Sequence, residues 1–234
     1  MVNLAIKLKI PVFHYVSSIA SLSRNEAGVM TEEFTEFNFH KSTPYSQSKY
    51  LAEMEVWRGY NEGLNGVIIN PAIMLGTGDI SRGSLIFYNY IKNGLKVYPI
   101  GKNGFVDVRD VADCLNLLAA DKEKYNNRYL VVSSSCFYKD IFTMIAEGLG
   151  LKPPGIKISK TLTKVAYVID TLRSKLTFSD QIITRDILRL VNDIYEFDNS
   201  KIRNGLNFEF NSMKSSIIET TEFLIKTNFG AKLR

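Results

Sequence analysis

A tyrosine and a lysine four residues apart, Tyr45 and Lys49, are the side chains in this sequence best suited to proton transfer. On a helix this spacing places the phenol and the ammonium on the same face. A phenol has a pKa of about 10, so acid–base work near pH 7 requires a decrease of about 3 units, worth about 4 kcal/mol. A positive charge about 4 Å away, at an effective dielectric constant of about 20, supplies that much. The pair could therefore exchange a proton with a substrate oxygen, although the same spacing occurs by chance in many helices.

Two adjacent serines, Ser17 and Ser18, follow a short apolar run at residues 12–16. An apolar run without polar alternation is typical of a strand covered on both faces, as in a parallel sheet. Open parallel sheets place their functional sites at the carboxyl ends of the strands. A serine hydroxyl there could donate a hydrogen bond to a substrate carbonyl while Tyr45 supplies a proton, or it could merely cap the strand end.

The elements that must position these side chains follow from the sequence pattern. Thr43 is a favourable N-cap, Pro44 suits the first helical position, and Gly63 suits the end of the same helix. Strands are predicted at 12–16, 67–70, 105–108, 129–132 and 195–197, a surface loop at 22–42, a turn at 101–104, and further helices at 2–8, 84–93, 109–122, 138–149, 159–176, 183–192 and 212–227. The alternation of strands and helices indicates βαβ units and a mostly parallel sheet.

The composition excludes several classes of protein. The 234 residues carry 29 Lys and Arg against 24 Asp and Glu, and the basic residues are scattered among acidic ones, which argues against a nucleic-acid partner. Two cysteines, Cys114 and Cys136, and two histidines, His14 and His40, are too few for a disulfide scaffold or a metal site. Neither a signal peptide nor an apolar run of about 18 residues is present, so we expect a cytoplasmic protein without a membrane span.

Three segments together resemble the extended short-chain dehydrogenase/reductases, the NAD-dependent epimerase/dehydratase group. They are Ser17-Ser18, the Tyr45-xxx-Lys49 pair on a helix, and Asn70-Pro71-Ala72. Residues 104–112 resemble that family's strand and helix near the substrate region, and residues 198–208 resemble its C-terminal element. Residues 162–190 are most similar to the dihydroflavonol-reductase-like branch.

The resemblance implies an NAD(P)-dependent oxidoreductase that transfers a hydride to or from a ketone or alcohol carbon of a small molecule. Tyr45 would be the general acid/base, Lys49 would favour the ionised phenol and hold the nicotinamide ribose, and Ser18 would orient the substrate oxygen. The residues that would contact the cofactor are Tyr45, Lys49, Pro71, Ala72 and Ile73. The cofactor would be NAD or NADP, and the sequence does not choose between them.

The implied fold is α/β: a partial Rossmann-like parallel sheet, its N-terminal βα units missing, with a smaller, mostly helical C-terminal substrate-binding region. Residues 1–135 would be the remainder of the dinucleotide-binding domain, with 74–103 contributing to the substrate region, and 136–234 would be the substrate-binding region. The family's GxxGxxG turn, which cradles the pyrophosphate, is not in this sequence. We therefore expect a truncated form that holds half of the dinucleotide site.

Two alternatives stay open at this level. One is a non-catalytic truncated chain that acts as a binding or interaction module, and the other is a sugar-nucleotide epimerase/dehydratase of the same family. The resemblance also allows a homodimer through the helix that carries Tyr45. Leu51, Met54 and Trp57 lie off the catalytic face of that helix and could face either a second copy or this subunit's own core.

Overall fold

The computed structural model describes residues 1–33, 36–40, 42–79, 83–158, 161, 167–169, 171, 173–174 and 193–227. The predicted helix at 183–192 lies outside the described residues, and the one at 159–176 lies within them only in part. Among the residues that are described, no helix is both long enough and apolar enough to cross a bilayer.

The helices are α1 (Val2–Lys7), α2 (Pro44–Asn61), α3 (Ile86–Lys92), α4 (Val108–Ala120), α5 (Tyr138–Gly148), α6 (Ser200–Leu206) and α7 (Met213–Lys226). The strands are β1 (Tyr15–Val16), β2 (Val29–Met30), β3 (Val67–Pro71), β4 (Ile73–Leu75), β5 (Val97–Pro99), β6 (Lys102–Asp107), β7 (Asn127–Val131), β8 (Ser134–Phe137), β9 (Ile156–Ile158) and β10 (Glu196–Phe197). Short 3-10 helices lie at Ile19–Ser21, Gly83–Leu85 and Lys122–Lys124.

The sheet that matters most for function has the order β1-β3-β7, and both of its strand pairs are parallel. Tyr15 lies opposite Ile68, and Asn70 lies opposite Leu130. Every residue of β3 is buried, as expected for a central strand that is covered on both faces. The predicted α/β fold with a parallel sheet is confirmed. Strands β4, β6 and β8 form a further sheet in the order β4-β6-β8.

Strand β1 is shorter than the predicted strand at 12–16. The backbone N–H of Val67 donates to the ring nitrogen Nδ1 of His14 at 3.2 Å, so a side chain takes a donor that a longer ladder would use. Regular pairing therefore begins only at Tyr15. In the part of the chain that the structure describes, β1 pairs with β3 alone, and the Val16 side chain is exposed.

The prediction of a turn at 101–104 is wrong, because β6 begins at Lys102. The cause is a backbone partner far away in the sequence. The Lys102 N–H donates to the Asp193 carbonyl at 3.0 Å, and the Tyr195 N–H donates to the Lys102 carbonyl at 2.9 Å. The loop predicted at 22–42 likewise contains a short strand, β2, which pairs with β10 in parallel.

Helix α2 begins and ends where the sequence predicts. The Thr43 hydroxyl accepts the Ser46 N–H at 3.1 Å, Pro44 is the first helical residue, and Gly63 has a φ of +100°. One face of the helix packs into a core cluster through Val56 and Tyr60, against members of α1 and β3. The core thus fixes the rotation of α2 and decides which of its side chains reach the carboxyl end of the sheet.

The described chain divides into two compact units, each made of segments that are not contiguous in sequence. The first unit comprises 1–74, 104–134 and 196–211, and the second comprises 75–103, 135–195 and 212–234. The β1-β3-β7 sheet, α1, α2, α4 and α6 belong to the first unit. In the second unit α5 packs on α3 and α7, and β5 pairs with β9 in parallel. The assignment of 136–234 to substrate binding stays a prediction.

Candidate active site

The first turns of α2 place Lys49 at the carboxyl end of β1. Its ammonium Nζ donates to the Val16 carbonyl at 3.3 Å and lies 5.4 Å from the centre of the Tyr15 ring. Tyr45, one turn earlier on the same helix, is 56% exposed, so its phenol is not part of the core. The acid–base candidate is therefore accessible to a ligand, and the ammonium is anchored to the end of a parallel strand.

Ser18 lies two residues beyond β1, where it caps the 3-10 helix Ile19–Ser21. Its Oγ accepts the Ala20 N–H at 3.2 Å, so the sequence-based alternative of a capping role is part of what the residue does. Because that oxygen is the acceptor, the hydroxyl proton can still be donated to another oxygen. Ser17 differs, since it is buried and donates to the Glu53 carboxylate at 2.7 Å.

The segment that follows β3 lies beside Ser18. Asn70 is fully buried, and its Nδ2 donates to the Ser18 carbonyl at 3.1 Å. Pro71 is the last residue of β3, and the Ala72 N–H donates to the Val131 carbonyl at 3.0 Å. Ala72 is buried and Ile73 is half-buried. The predicted cofactor-contact residues at 71–73 thus begin where β3 ends, next to the loop that carries Ser18.

The predicted site residues Lys49 and Ser18 form hydrogen bonds with residues of the sheet and not with one another. Lys49 is joined to Val16, and Ser18 is joined to Asn70. Among the described residues, no hydrogen bond connects the Tyr45 hydroxyl with Ser18 or Lys49. That these three side chains meet on one substrate stays a prediction.

A buried polar network, which the sequence reasoning missed, lies directly beneath these residues. The Glu53 carboxylate is 0% exposed, and its Oε2 accepts hydrogen bonds from Ser17 at 2.7 Å, Ser21 at 2.7 Å and Asn70 at 2.9 Å. Its Oε1 accepts from Arg128 Nη1 at 3.0 Å. A buried carboxylate needs such partners, because an unpaired charge in the protein interior is strongly destabilising.

Arg128 itself is held by backbone oxygens of the loop before α2. Its Nε donates to the Glu32 carbonyl at 2.5 Å and its Nη2 to the Glu33 carbonyl at 2.8 Å. Only one signal in the sequence could have pointed to this network: Glu53 follows Lys49 by four residues and so lies on the helical face of the Tyr45–Lys49 pair.

Two further titratable groups, Glu32 and Lys201, form hydrogen bonds to the backbone of β7. Burial raises the pKa of the Glu32 carboxyl, while the Leu130 N–H, which donates to it at 2.9 Å, acts in the opposite direction. Burial lowers the pKa of the Lys201 ammonium, which donates to the Arg128 carbonyl at 2.9 Å. Within the described residues no group of three His, Cys, Asp or Glu side chains could hold a metal ion.

Comparisons with known proteins show which family the chain matches. Residues 1–133 match the family model described as the NAD dependent epimerase/dehydratase family. A protein of Methylococcus capsulatus called sterol demethylase protein B is 29% identical over 165 residues, which cover 69% of this chain and 50% of the relative. A putative dihydroflavonol 4-reductase of Synechocystis is 25% identical over 218 residues, 89% of this chain and 63% of the relative. The chain thus spans about half to two thirds of the length of these relatives.

A solved structure gives the same result for the fold. A nucleoside-diphosphate-sugar epimerase from Pseudomonas aeruginosa superposes with a TM-score of 0.79 at 18% identity, over 97% of this chain and 71% of that chain. At this identity the likeness shows the fold alone. It confirms the predicted Rossmann-like architecture, and the relatives confirm the predicted resemblance to dihydroflavonol reductases.

Proposed function

Because the chain belongs to the NAD dependent epimerase/dehydratase family, we propose that it provides the nicotinamide end and the acid–base residues of an NAD(P)-dependent oxidoreductase. The substrate would be a small molecule with a ketone or alcohol carbon. The observation that carries the proposal is the position of Lys49, whose ammonium is held at the carboxyl end of β1 while Tyr45 stands exposed one turn away. The carboxyl edge of a parallel sheet is where such folds bind their ligands.

The side chains at this edge fit the nicotinamide riboside part of the cofactor. An ammonium has three N–H donors, and the Val16 carbonyl occupies one of them, so two remain for neighbouring ribose hydroxyls. The segment 71–73 begins with the last residue of the central strand and offers backbone groups and apolar side chains. When bound, the nicotinamide supplies or accepts the hydride.

The residues of the chain would supply proton transfer, charge stabilisation and orientation of the substrate. The Tyr45 hydroxyl gives its proton to the substrate oxygen in reduction and takes it back in oxidation. The Lys49 ammonium stabilises the phenolate that Tyr45 becomes, since an opposite charge nearby favours the charged form. The Ser18 hydroxyl donates to the same substrate oxygen and fixes its direction. Buried Ala72 helps to exclude water from this edge.

The curated relatives favour a reductase over the sugar-nucleotide alternative. The similarity to a dihydroflavonol 4-reductase extends over 89% of the chain, whereas the sugar epimerase structure supports the fold alone. Parallel titrations with NADH and NADPH would distinguish the two cofactors.

The proposal can be tested on the 234-residue chain with reduced nicotinamide mononucleotide, which lacks the adenosine half of the cofactor. We expect saturable binding by calorimetry or ligand-observed NMR with a Kd of about 1 mM, which corresponds to about −4 kcal/mol. Lys49→Ala should weaken it at least fivefold, because the ribose loses its cationic donor. Lys122→Ala, which removes an exposed lysine of the same unit, is the matched control and should leave binding unchanged.

Absence of saturable binding, or equal losses in the two lysine variants, would contradict the nicotinamide site. Binding of reduced nicotinamide mononucleotide without hydride transfer from it to any ketone or aldehyde would instead favour the non-catalytic binding module.

A further inference from the structure

We propose that Glu53 is a positioning residue of this site, and that its carboxylate sets where Ser18 stands relative to Tyr45 and Lys49. The inference rests on the proposed function only for the roles of those three residues. Its geometric basis is independent of that function, because Glu53 is one turn beyond Lys49 on α2 and is fully buried under the sheet edge.

A single carboxylate joins the elements that carry the site. Its oxygens accept from Ser17, which follows β1, from Ser21 in the 3-10 helix, and from Asn70 on β3. Arg128 adds the third strand of the sheet, β7. The carboxylate therefore connects all three strands of the sheet with the helix that presents Tyr45.

Ser18 is not hydrogen-bonded to Glu53 itself, but it is hydrogen-bonded to residues that are. Its two neighbours in the network are Ser21, whose Oγ lies 2.8 Å from the Ser18 carbonyl oxygen, and Asn70, whose Nδ2 donates to the same oxygen at 3.1 Å. Asn70 also donates its second N–H to Glu53 Oε2, and the single Ser21 hydroxyl proton is shared between Glu53 Oε2 and the Ser18 carbonyl. A shift of the carboxylate thus moves the Ser18 backbone with it.

The chemistry of the partners requires a carboxylate rather than an amide. Each group that faces Glu53 in this network is a donor: two serine hydroxyls, one amide nitrogen and one guanidinium. An ionised carboxylate only accepts and can serve all of them. A glutamine would present its own N–H donors to at least one of these donors, so one pair would be lost.

The consequence for catalysis follows from the sensitivity of reactions to geometry. A displacement of about 1 Å at a reacting group can cost about a hundredfold in rate. Glu53 acts from behind the sheet edge, so loss of its contacts should lower kcat more than it weakens binding of the nicotinamide, which depends on Lys49.

The first test uses amide hydrogen exchange and needs no activity. In Ser17→Ala/Ser21→Ala, which keeps the Glu53–Arg128 pair, exchange at the amides of Ala20, Ser21 and Leu22 should be at least tenfold faster than in the wild type. In Glu53→Gln the acceleration should extend to Ala72, while amides in the middle of α4 stay unchanged. Glu55→Gln is the matched control, because this exposed carboxylate on the same helix pairs only with Arg58 in the described structure.

Unchanged exchange at residues 20–22 in the double serine variant would overturn the positioning role. If Glu53→Gln does not fold, as circular dichroism would show, the double serine variant still decides the question. A failure of nicotinamide binding in the wild type would count against the proposed function and not against this result.

The second test separates positioning from simple stability, in a preparation that turns over a carbonyl substrate. At a temperature where every variant is fully folded, Glu53→Gln should lower kcat at least tenfold and change KM for NADH or NADPH by less than threefold. In the Ser17→Ala/Ser21→Ala background the further loss from Glu53→Gln should shrink, because two of the three side chains that link Glu53 to the Ser18 segment no longer contact it and only Asn70 remains. Equal, additive losses in both backgrounds would show that Glu53 acts by another route.

Discussion

Tyr45, Lys49 and Glu53 follow one another at single helical turns, yet their surroundings differ sharply. Tyr45 is exposed, Lys49 reaches back to the Val16 carbonyl, and Glu53 is sealed beneath the sheet edge. Along this face of α2, the side chains therefore change from exposed to buried within two helical turns. Because of this gradient, Tyr45 is suited to proton exchange, Lys49 to charge stabilisation and Glu53 to alignment.

Tyr45→Phe removes one oxygen and should remove the proton donor alone. We expect turnover of a carbonyl substrate to fall by about 10² to 10⁴, the usual contribution of a general acid, with binding of reduced nicotinamide mononucleotide changed less than threefold. Stopped-flow or steady-state absorbance of the reduced cofactor measures the first quantity, and calorimetry measures the second. Tyr90→Phe, another exposed helical tyrosine, is the control. Full turnover in the Tyr45 variant would exclude it as the acid/base.

Cys114 gives a prediction that depends on pH. Burial, with smaller contributions from Asp110 and Asp113, raises the pKa of this thiol from 9.0 to about 12. A raised folded-state pKa means that the contribution to stability is complete below pH 9 and is lost as the pH rises towards 12. At pH 10.5 the loss is about 2 kcal/mol, since 1.5 units separate that pH from 9.

Urea unfolding at pH 8 and at pH 10.5 measures this effect. Cys114→Ala should reduce the decrease in unfolding free energy between the two pH values by about 2 kcal/mol. Cys136→Ala, at a half-buried position, should keep the wild-type decrease. The prediction fails if both variants show the same pH dependence as the wild type.

At the scale of elements, close backbone approach controls where β1 and β3 meet. Gly66 precedes β3, and a Cβ added there would lie 2.1 Å from the Phe13 carbonyl oxygen and 3.0 Å from the Tyr60 hydroxyl. The same Phe13 oxygen accepts the Tyr60 O–H at 2.8 Å. Because Gly66 has no side chain, the backbone before β3 and the Tyr60 side chain of α2 can both approach the Phe13 carbonyl, which lies in the backbone before β1.

Gly66→Ala should therefore destabilise the chain by about 3 kcal/mol, at the upper end of the cost of overpacking, because the obstacle is backbone. Gly205→Ala on α6 is the control: nothing lies within 4 Å of the added methyl group, and its φ is not in the left-handed region. The control should be neutral or slightly stabilising. Chemical denaturation monitored by circular dichroism compares the two, and a similar midpoint in both would refute the packing argument.

The sequence predicts well those elements whose signals are local. Thr43, Pro44 and Gly63 mark the ends of α2, and an unbroken apolar run marks β3. Strands β2 and β10 have two residues each, and their pairing depends on a partner more than 160 positions away, so no local pattern marks their pairing. The Glu53 network was missed for the same reason: 75 positions separate Glu53 from Arg128, and each is an ordinary surface residue type.

At the scale of the whole molecule, exposed leucines near α1 and on α2 bear on self-association. Leu4, Leu8 and Leu51 are all exposed, while Met54 is half-buried. Trp57 instead packs against the core cluster of its own subunit. Of the residues considered for a homodimer, Leu51 thus has the clearest opportunity to contact a second copy.

We predict a concentration-dependent dimer that buries Leu51, because exposed apolar side chains gain free energy when association removes them from water. Sedimentation velocity should show a larger average mass at higher concentration, and Leu51→Glu should restore the monomer. Leu117→Glu on α4 changes an equally apolar, exposed leucine elsewhere in the first unit and should leave association intact. A monomer at every concentration, or the same shift in both variants, would rule out this interface.

The interleaved segments of the first unit have a consequence for synthesis on the ribosome. Strand β2 pairs with β10, and Glu196 lies opposite Val29, so this pairing awaits the synthesis of a segment 167 residues further along the chain. Arg128 follows Glu53 by 75 residues, which at roughly 5–20 residues per second leaves the carboxylate without its guanidinium for about 4 to 15 seconds. The nascent chain would therefore expose unpaired strands until Arg128 and then β10 have been synthesised, a period in which a chaperone that shields apolar strands would increase the yield of folded protein.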